Sequence, residues 1–268
     1  VNVLTDLSDA ALARAVEENE WELLRAVADL PDGEVRDAPD VLRYSSGVPV
    51  AFMNGIARAR FEPADVDRRI EEALAPFRSR GLPATWTVGP ASTPPDLGRR
   101  LIDHGVELQE ITPGMACDLR ALPGATHTAR GLEVHAVGGE GELESFLAVA
   151  TAAFASEPAV ADAIRRWYRA LVLARPDLVL AHVARLNDRA VGGSIAFCGA
   201  GVVGLYGVAT VPEARNLGVG RAVSLSALLW ARDRGYRAGV LTSTDMGMPV
   251  YARLGFRRVC TLARYAFS

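Results

Sequence analysis

The spacing of apolar and polar residues divides this chain into segments of helical and of strand period. In the front part it predicts a helix over Asp9–Leu30, strands over Val41–Ser45 and Phe52–Ala59, and a helix over Pro63–Arg80 carrying Ile70, Leu74 and Phe77 on one stripe. A strand over Ala84–Val88, a helix over Asp96–His104 and a strand over Met115–Leu119 follow. In the back part the pattern predicts a strand over Leu132–Ala136 and an amphipathic helix over Leu143–Phe154. Strands over Leu178–Leu186 and Gly192–Phe197 are joined by a turn at Asn187-Asp188. An apolar strand then runs through Val208, and a helix over Arg221–Arg234, a turn at Gly235, a strand over Ala238–Thr242 and a second helix complete the order. Ile164, Tyr168 and Leu171 form a further helical stripe, with Arg165, Arg166 and Arg169 on the opposite face read as solvated surface. Strands alternating with helices predict an α/β chain.

Composition narrows the class. Half of the 268 residues are apolar and 23% are charged, which suits one large or two ordinary buried cores. A net charge of -3 argues against a nucleic-acid partner. The longest apolar run, near Gly201–Val211, is too short to span a bilayer, and Val1–Asp6 has no basic leader, so a cytoplasmic protein without a membrane partner is expected. Cys117, Cys198 and Cys260 lie in strand-like apolar surroundings without metal spacing and are read as buried, reduced thiols; no metal site is expected. Every basic residue is an arginine, which excludes a Schiff-base lysine, a pyridoxal phosphate anchor and a lysine general base.

The segment from Val208 to Val223 carries the most chemistry. A strand runs into a turn, Arg215-Asn216-Leu217-Gly218-Val219-Gly220-Arg221, that opens a helix, so unpaired N–H groups and the positive helix end meet at one point suited to a pyrophosphate. A Cβ at Gly218 or Gly220 would hold phosphate oxygens away from the backbone, and Arg215 and Arg221 add charge at the rim. A P-loop is excluded because Gly220 is followed by Arg221-Ala222 instead of Lys-Ser/Thr. A dinucleotide fingerprint is disfavoured by Val223 at the third glycine position.

The remaining pattern, R-x-x-G-x-G after an apolar strand, resembles the acyl-CoA signature of the GCN5-related N-acetyltransferase superfamily. Tyr251-Ala252-Arg253-Leu254-Gly255-Phe256 resembles the Y-x-x-L-G-F that closes such domains. The resemblance covers about residues 128–268 and implies acetyl-CoA as co-substrate and a small-molecule amine as acceptor. It also implies a mixed-sheet α/β fold in which the strand before the turn splays at a bulge. On this resemblance the main chain at Val208 and Thr210 binds the pantetheine arm and thioester, residues 215–221 bind the pyrophosphate, and Thr244 stands where relatives carry an asparagine toward the pantetheine. Tyr251 stands at the general-acid position. Tyr206 occupies the place of a glutamate base, leaving a water relay, a different carboxylate such as Asp245, or a histidine such as His182 for that role. Acceptor recognition is expected from Glu157–Arg175 and from a last hairpin over Arg258–Arg264. Two alternatives stay open, a donor other than acetyl-CoA and a CoA-binding module without catalysis.

The front half shows the same order of elements. Leu97–Gly105 after Thr85–Val88 looks like a worn copy of Val250–Phe256, but Arg60-Phe61-Glu62-Pro63 replaces the glycine turn. Two tandem domains of this family's fold are therefore expected, a degenerate one over residues 1–125 and a complete one over 126–268, with a linker at Pro123–His127.

Overall fold

The computed structural model describes residues 3–124, 129–155 and 157–268. In chain order the elements are α1 (Asp9–Arg25), β1 (Glu34–Ala38), β2 (Val41–Ser45), β3 (Asn54–Ala57), α2 (Val66–Arg78), β4 (Ala84–Val88), α3 (Leu97–Asp103) and β5 (Glu107–Asp118). They continue with β6 (Leu132–Ala136), α4 (Glu140–Phe154), α5 (Pro158–Ala174), β7 (Val179–Leu186), β8 (Arg189–Gly199), β9 (Val202–Thr210), α6 (Val219–Asp233), β10 (Ala238–Thr242), α7 (Met248–Ala252) and β11 (Arg257–Phe267). The chain forms two compact units, one of Val1–Asn19 with Met115–Val259 and one of Glu20–Gly114 with Cys260–Ser268. Both units are thus discontinuous. A cut at residue 125 falls within the sequence of the larger unit, and residues 125–127 of the expected linker lie outside the described residues.

In the larger unit the strand order is β5-β10-β9-β8-β7-β6, antiparallel from β6 to β9 and parallel between β9 and β10. Consecutive glycines of β8 show which helix covers which face. A Cβ on Gly192 would meet Val219 Cγ1 of α6 at 2.2 Å, and one on Gly193 would meet Phe146 Cδ2 of α4 at 2.6 Å. Because side chains alternate across a strand, α6 and α4 cover opposite faces, and both pack so closely that glycine is required beneath them. Arg165 and Arg169 of α5 pair with Glu144 of α4, and Arg169 also reaches Glu140 at 2.7 Å, so these arginines serve helix pairing.

In the smaller unit β1, β2 and β3 are antiparallel, β3 and β4 are parallel, and Ala263–Phe267 of β11 pairs antiparallel with β4. The core gathers Ile70, Leu74 and Phe77 of α2 on Trp86 and Phe267, with edge-to-face ring pairs Phe61–Trp86 and Phe77–Phe267. The predicted helical stripe is therefore the buried one.

Each unit contains strand, helix, parallel strand, short helix: β3-α2-β4-α3 in the smaller and β9-α6-β10-α7 in the larger. The short helices end alike. Gly105 N–H bonds Ile102 O and Val106 N–H bonds Leu101 O, matching Gly255 N–H to Ala252 O and Phe256 N–H to Tyr251 O, with both glycines left-handed. By these bonds Leu101, fully buried, stands in α3 where Tyr251 stands in α7.

Several elements depart from the sequence pattern. Ala51–Met53 is a 3-10 turn rather than the start of a strand, with Phe52 half-exposed, and the strand begins at Asn54. Asn54 fixes that turn by accepting from Ser45 Oγ and Ser46 N–H while donating to the carbonyls of Val48, Val50 and Pro83. The first helix gives way after Arg25 to a 3-10 turn over Ala26–Asp29. In place of a last hairpin over Arg258–Arg264 there is one continuous strand, β11. Cys117 and Cys198 are buried free thiols, whereas Cys260 is only half-buried.

Candidate active site

The site is built where β9 leaves its neighbours. On the β8 side the register shifts between Gly193 and Ile195, so that Gly207 and Val208 face the single residue Ser194. Gly207 is left-handed, at φ 56°, and only glycine takes that conformation without strain. A Cβ there would also come within 2.9 Å of the Tyr168 hydroxyl. On the other side the parallel ladder to β10 ends at Val240–Gly204. Val208 and Thr210 lie beyond that pair on β9.

After β9 the chain makes a 3-10 turn at Pro212–Ala214, then Asn216 and Gly218 adopt left-handed φ values of 64° and 80°, and α6 starts at Val219. The amides from Asn216 to Arg221 donate to no acceptor among the described residues. Alternating left- and right-handed residues at a helix start turn successive N–H groups toward one side, a concavity suited to anions. Arg221 Nε is buried without a partner in the described structure. A Cβ on Gly220 would find Thr210 Oγ1 at 3.6 Å, an ordinary contact, so the protein's own packing does not require glycine there. Arg215, Asn216 and Leu217 are exposed. These features fit a pyrophosphate: unpaired donors, a buried guanidinium N–H and a glycine whose bareness serves nothing inside the protein.

Tyr251, on α7, is buried with its ring edge-to-face on Phe256 at 5.8 Å, in the apolar cluster against which Val208 packs. Burial pushes its phenol up to about 12, so it is protonated at neutral pH. Its hydroxyl makes no hydrogen bond to a described residue. Thr244 is exposed, and its hydroxyl accepts from Gly247 N–H at 3.3 Å, while its carbonyl accepts from Met248 N–H, as in an N-cap to α7. The hydroxyl proton of Thr244 is not used in that cap.

Tyr206 donates its hydroxyl proton to Asn19 Oδ1 at 2.7 Å. Asn19 is fully buried on α1, and its amide nitrogen donates to Phe197 O and Gly199 O, which fixes the amide so that its oxygen faces the phenol. A Cβ on Gly204 would strike Asn19 Oδ1 at 2.0 Å, so glycine makes room for this arrangement. Asn19 was not legible as a site neighbour, since it lies in a polar-looking helix far from β9 in sequence. His182 is buried opposite Ser194, whose hydroxyl donates to Val223 O of α6. By strand alternation with Ala184, the ring lies under α6. Burial lowers its pKa to about 4, and Nδ1 has no partner in the described structure. Asp245 is exposed beside Thr244. Among the described residues no group of His, Cys, Asp and Glu could hold a metal ion, and no helix is long and apolar enough to cross a membrane.

Residues 120–246 match the family model described as an acetyltransferase (GNAT) domain, which sets the class as an acyltransferase. Residues 120–246 thus carry a GNAT domain, a fold that supports acyl transfer from CoA. Among solved structures it is similar to a GCN5-related N-acetyltransferase from Kribbella flavida, with TM-score 0.71 and 19% identity over 98% of this chain and 96% of that one. It is also similar to a GCN5-related N-acetyltransferase from Sphaerobacter thermophilus (TM-score 0.66, 16% identity, 97% and 93% covered). A third is a tandem GNAT protein from the clavulanic acid biosynthesis pathway (TM-score 0.59, 13% identity, 96% of both chains). These likenesses extend over nearly the whole chain, and its fold is a mixed α/β one with a tandem GNAT-like arrangement. No curated protein matches the sequence significantly.

Proposed function

We propose that the protein is an N-acetyltransferase that moves an acetyl group from acetyl-CoA to the amine of a small molecule by direct attack. The observation that carries this reading is the run of unpartnered amides from Asn216 to Arg221 with the buried, unpaired Arg221 Nε, set directly after a strand that bulges at Gly207–Val208. On this reading Arg215, Asn216, Leu217, Gly218, Val219, Gly220 and Arg221 hold the pyrophosphate. The Val208 and Thr210 main chain aligns the pantetheine arm and thioester, and Thr244 offers its free hydroxyl proton to that arm. Tyr251 donates its proton toward the departing sulfur as the carbon–sulfur bond breaks and the new carbon–nitrogen bond forms. A protonated phenol with an otherwise idle hydroxyl suits that role.

The amine must attack as the free base. Tyr206 spends its proton on Asn19, and His182 lies neutral under α6, so neither supplies a base poised near neutral pH. The amine's proton leaves to solvent. The cradle reads the pyrophosphate and not the acyl chain, so the donor is settled by turnover. Residues 1–125 include a degenerate copy without donor binding, the β3-α2-β4-α3 stretch, as Leu101 in the place of Tyr251 and the absent glycine turn support, and residues 126–268 carry the donor site.

Thiol release measured with acetyl-, propionyl- and octanoyl-CoA against a panel of small amines tests the reading. Acetyl-CoA is expected to give the highest kcat/KM with at least one amine. Binding of CoA with no thiol release for any donor–amine pair would show a non-catalytic module instead.

A further inference from the structure

A cavity of about 350 Å3 lies in the smaller unit between the β1–β2 hairpin and the C-terminal end of α2. Arg36, Arg43, Arg80 and the carboxylate of Glu34 line it together with Pro76 and Phe77. Arg36 and Arg43 are direct cross-strand partners in the β1–β2 register, so two guanidinium groups project from the same face of the hairpin. Like charges directly opposite in an antiparallel pair destabilise it unless an anion lies between them.

One of the two has a structural task. Pro76 lacks the N–H that would bond Glu72 O one turn back, and Arg43 Nη1 donates to that carbonyl at 3.3 Å. Arg36 has no such task and no acidic partner among the described residues. The nearby carboxylates are engaged: Glu34 with Arg80 at 3.1 Å, Glu72 with Arg68 and Arg69, Asp40 with Arg69, and Asp37 with Arg25 and Arg58. Burial depresses the Arg43 pKa, and the charges of Arg36 and Arg69 depress it further. The lining therefore carries an excess of positive charge beside an apolar wall.

We propose that this cavity binds an oxyanion-bearing small molecule, its carboxylate or phosphate bridging Arg36 and Arg43 and its apolar part resting on Pro76 and Phe77. Guanidinium forks match both oxyanions bidentately, and the cavity volume suits a metabolite-sized ligand. The site lies in the unit without the glycine turn and does not depend on the acetyltransferase reading.

Thermal shift of the full chain with phenyl phosphate and with benzoate, against sodium chloride at matched ionic strength, tests this. The wild type is expected to respond to at least one of the two beyond the chloride control, and the arm with the lower apparent Kd identifies the headgroup. Arg36→Gln, which removes no hydrogen bond within the described structure, is expected to weaken that Kd by about tenfold or more. Since a phosphate could also settle on the α6 turn, only the response lost with Arg36 counts. A wild-type response no larger than chloride, or an equal response in Arg36→Gln, overturns the proposal.

Discussion

Replacing Tyr251 with phenylalanine is expected to lower kcat by about tenfold or more, the usual range for removal of a general acid, with the KM for acetyl-CoA nearly unchanged. The two halves of this expectation have separate grounds. The ring contributes packing: it is buried, sits edge-to-face on Phe256 and belongs to the apolar cluster that includes Leu254. Phenylalanine keeps all of that. The hydroxyl contributes no hydrogen bond within the described structure, so its removal leaves no partner stranded and the fold should melt at the wild-type temperature. What is lost is the proton delivered to the leaving sulfur. Burial holds the phenol at about 12, so the acid is fully loaded across the physiological range and its own titration should set no alkaline limb below about pH 10. Steady-state kinetics at saturating amine checks the expectation, and an unchanged kcat would remove Tyr251 from the mechanism.

Gly220→Ala should have a still larger effect on donor binding while sparing the fold. The added methyl group meets Thr210 Oγ1 at an ordinary 3.6 Å, and Gly220 lies in the first turn of α6 without a positive φ. Alanine is the better helix former by about 1 kcal/mol in a helix interior, so the ligand-free melting temperature should hold or rise. The methyl group, however, stands between the phosphate oxygens and the amides of the turn. Losing one or two charge-assisted hydrogen bonds at roughly 1.5–3 kcal/mol each predicts a donor KM raised between about tenfold and about ten-thousandfold. Gly218 is a poorer probe, because at φ 80° any side chain strains the backbone and confuses a binding loss with a folding one. Melting curves with and without CoA separate the two effects. An unaltered CoA-induced shift in Gly220→Ala would mean that the donor does not sit on this turn.

Where local pattern and tertiary role agree, the sequence was readable. The α2 stripe of Ile70, Leu74 and Phe77 is buried, the strand–turn–helix around Gly218 forms as its glycines require, and α7 ends at Gly255 as Leu-Gly-Phe suggests. The failures have physical causes. β1 is an edge strand whose residues Glu34, Arg36 and Asp37 face solvent, so no apolar alternation marks it. The first five residues of β5 are likewise exposed. The discontinuous units could not be read locally at all, since the last strand pairs with β4 across most of the chain length. Asn19 was hidden for the same reason: its partners Tyr206, Phe197 and Gly199 come from the far half of the sequence. Leu101 illustrates the opposite case, a position whose meaning as a silent counterpart of Tyr251 appears only when the backbone bonds of α3 and α7 are set side by side.

The central claim is that the turn from Asn216 to Arg221 holds the pyrophosphate of a CoA donor. Calorimetric titration of the full chain with CoA tests it most directly, repeated in the presence of inorganic pyrophosphate. Saturable one-to-one binding that pyrophosphate weakens competitively is the predicted result. Absence of saturable binding, or binding indifferent to pyrophosphate, would contradict it.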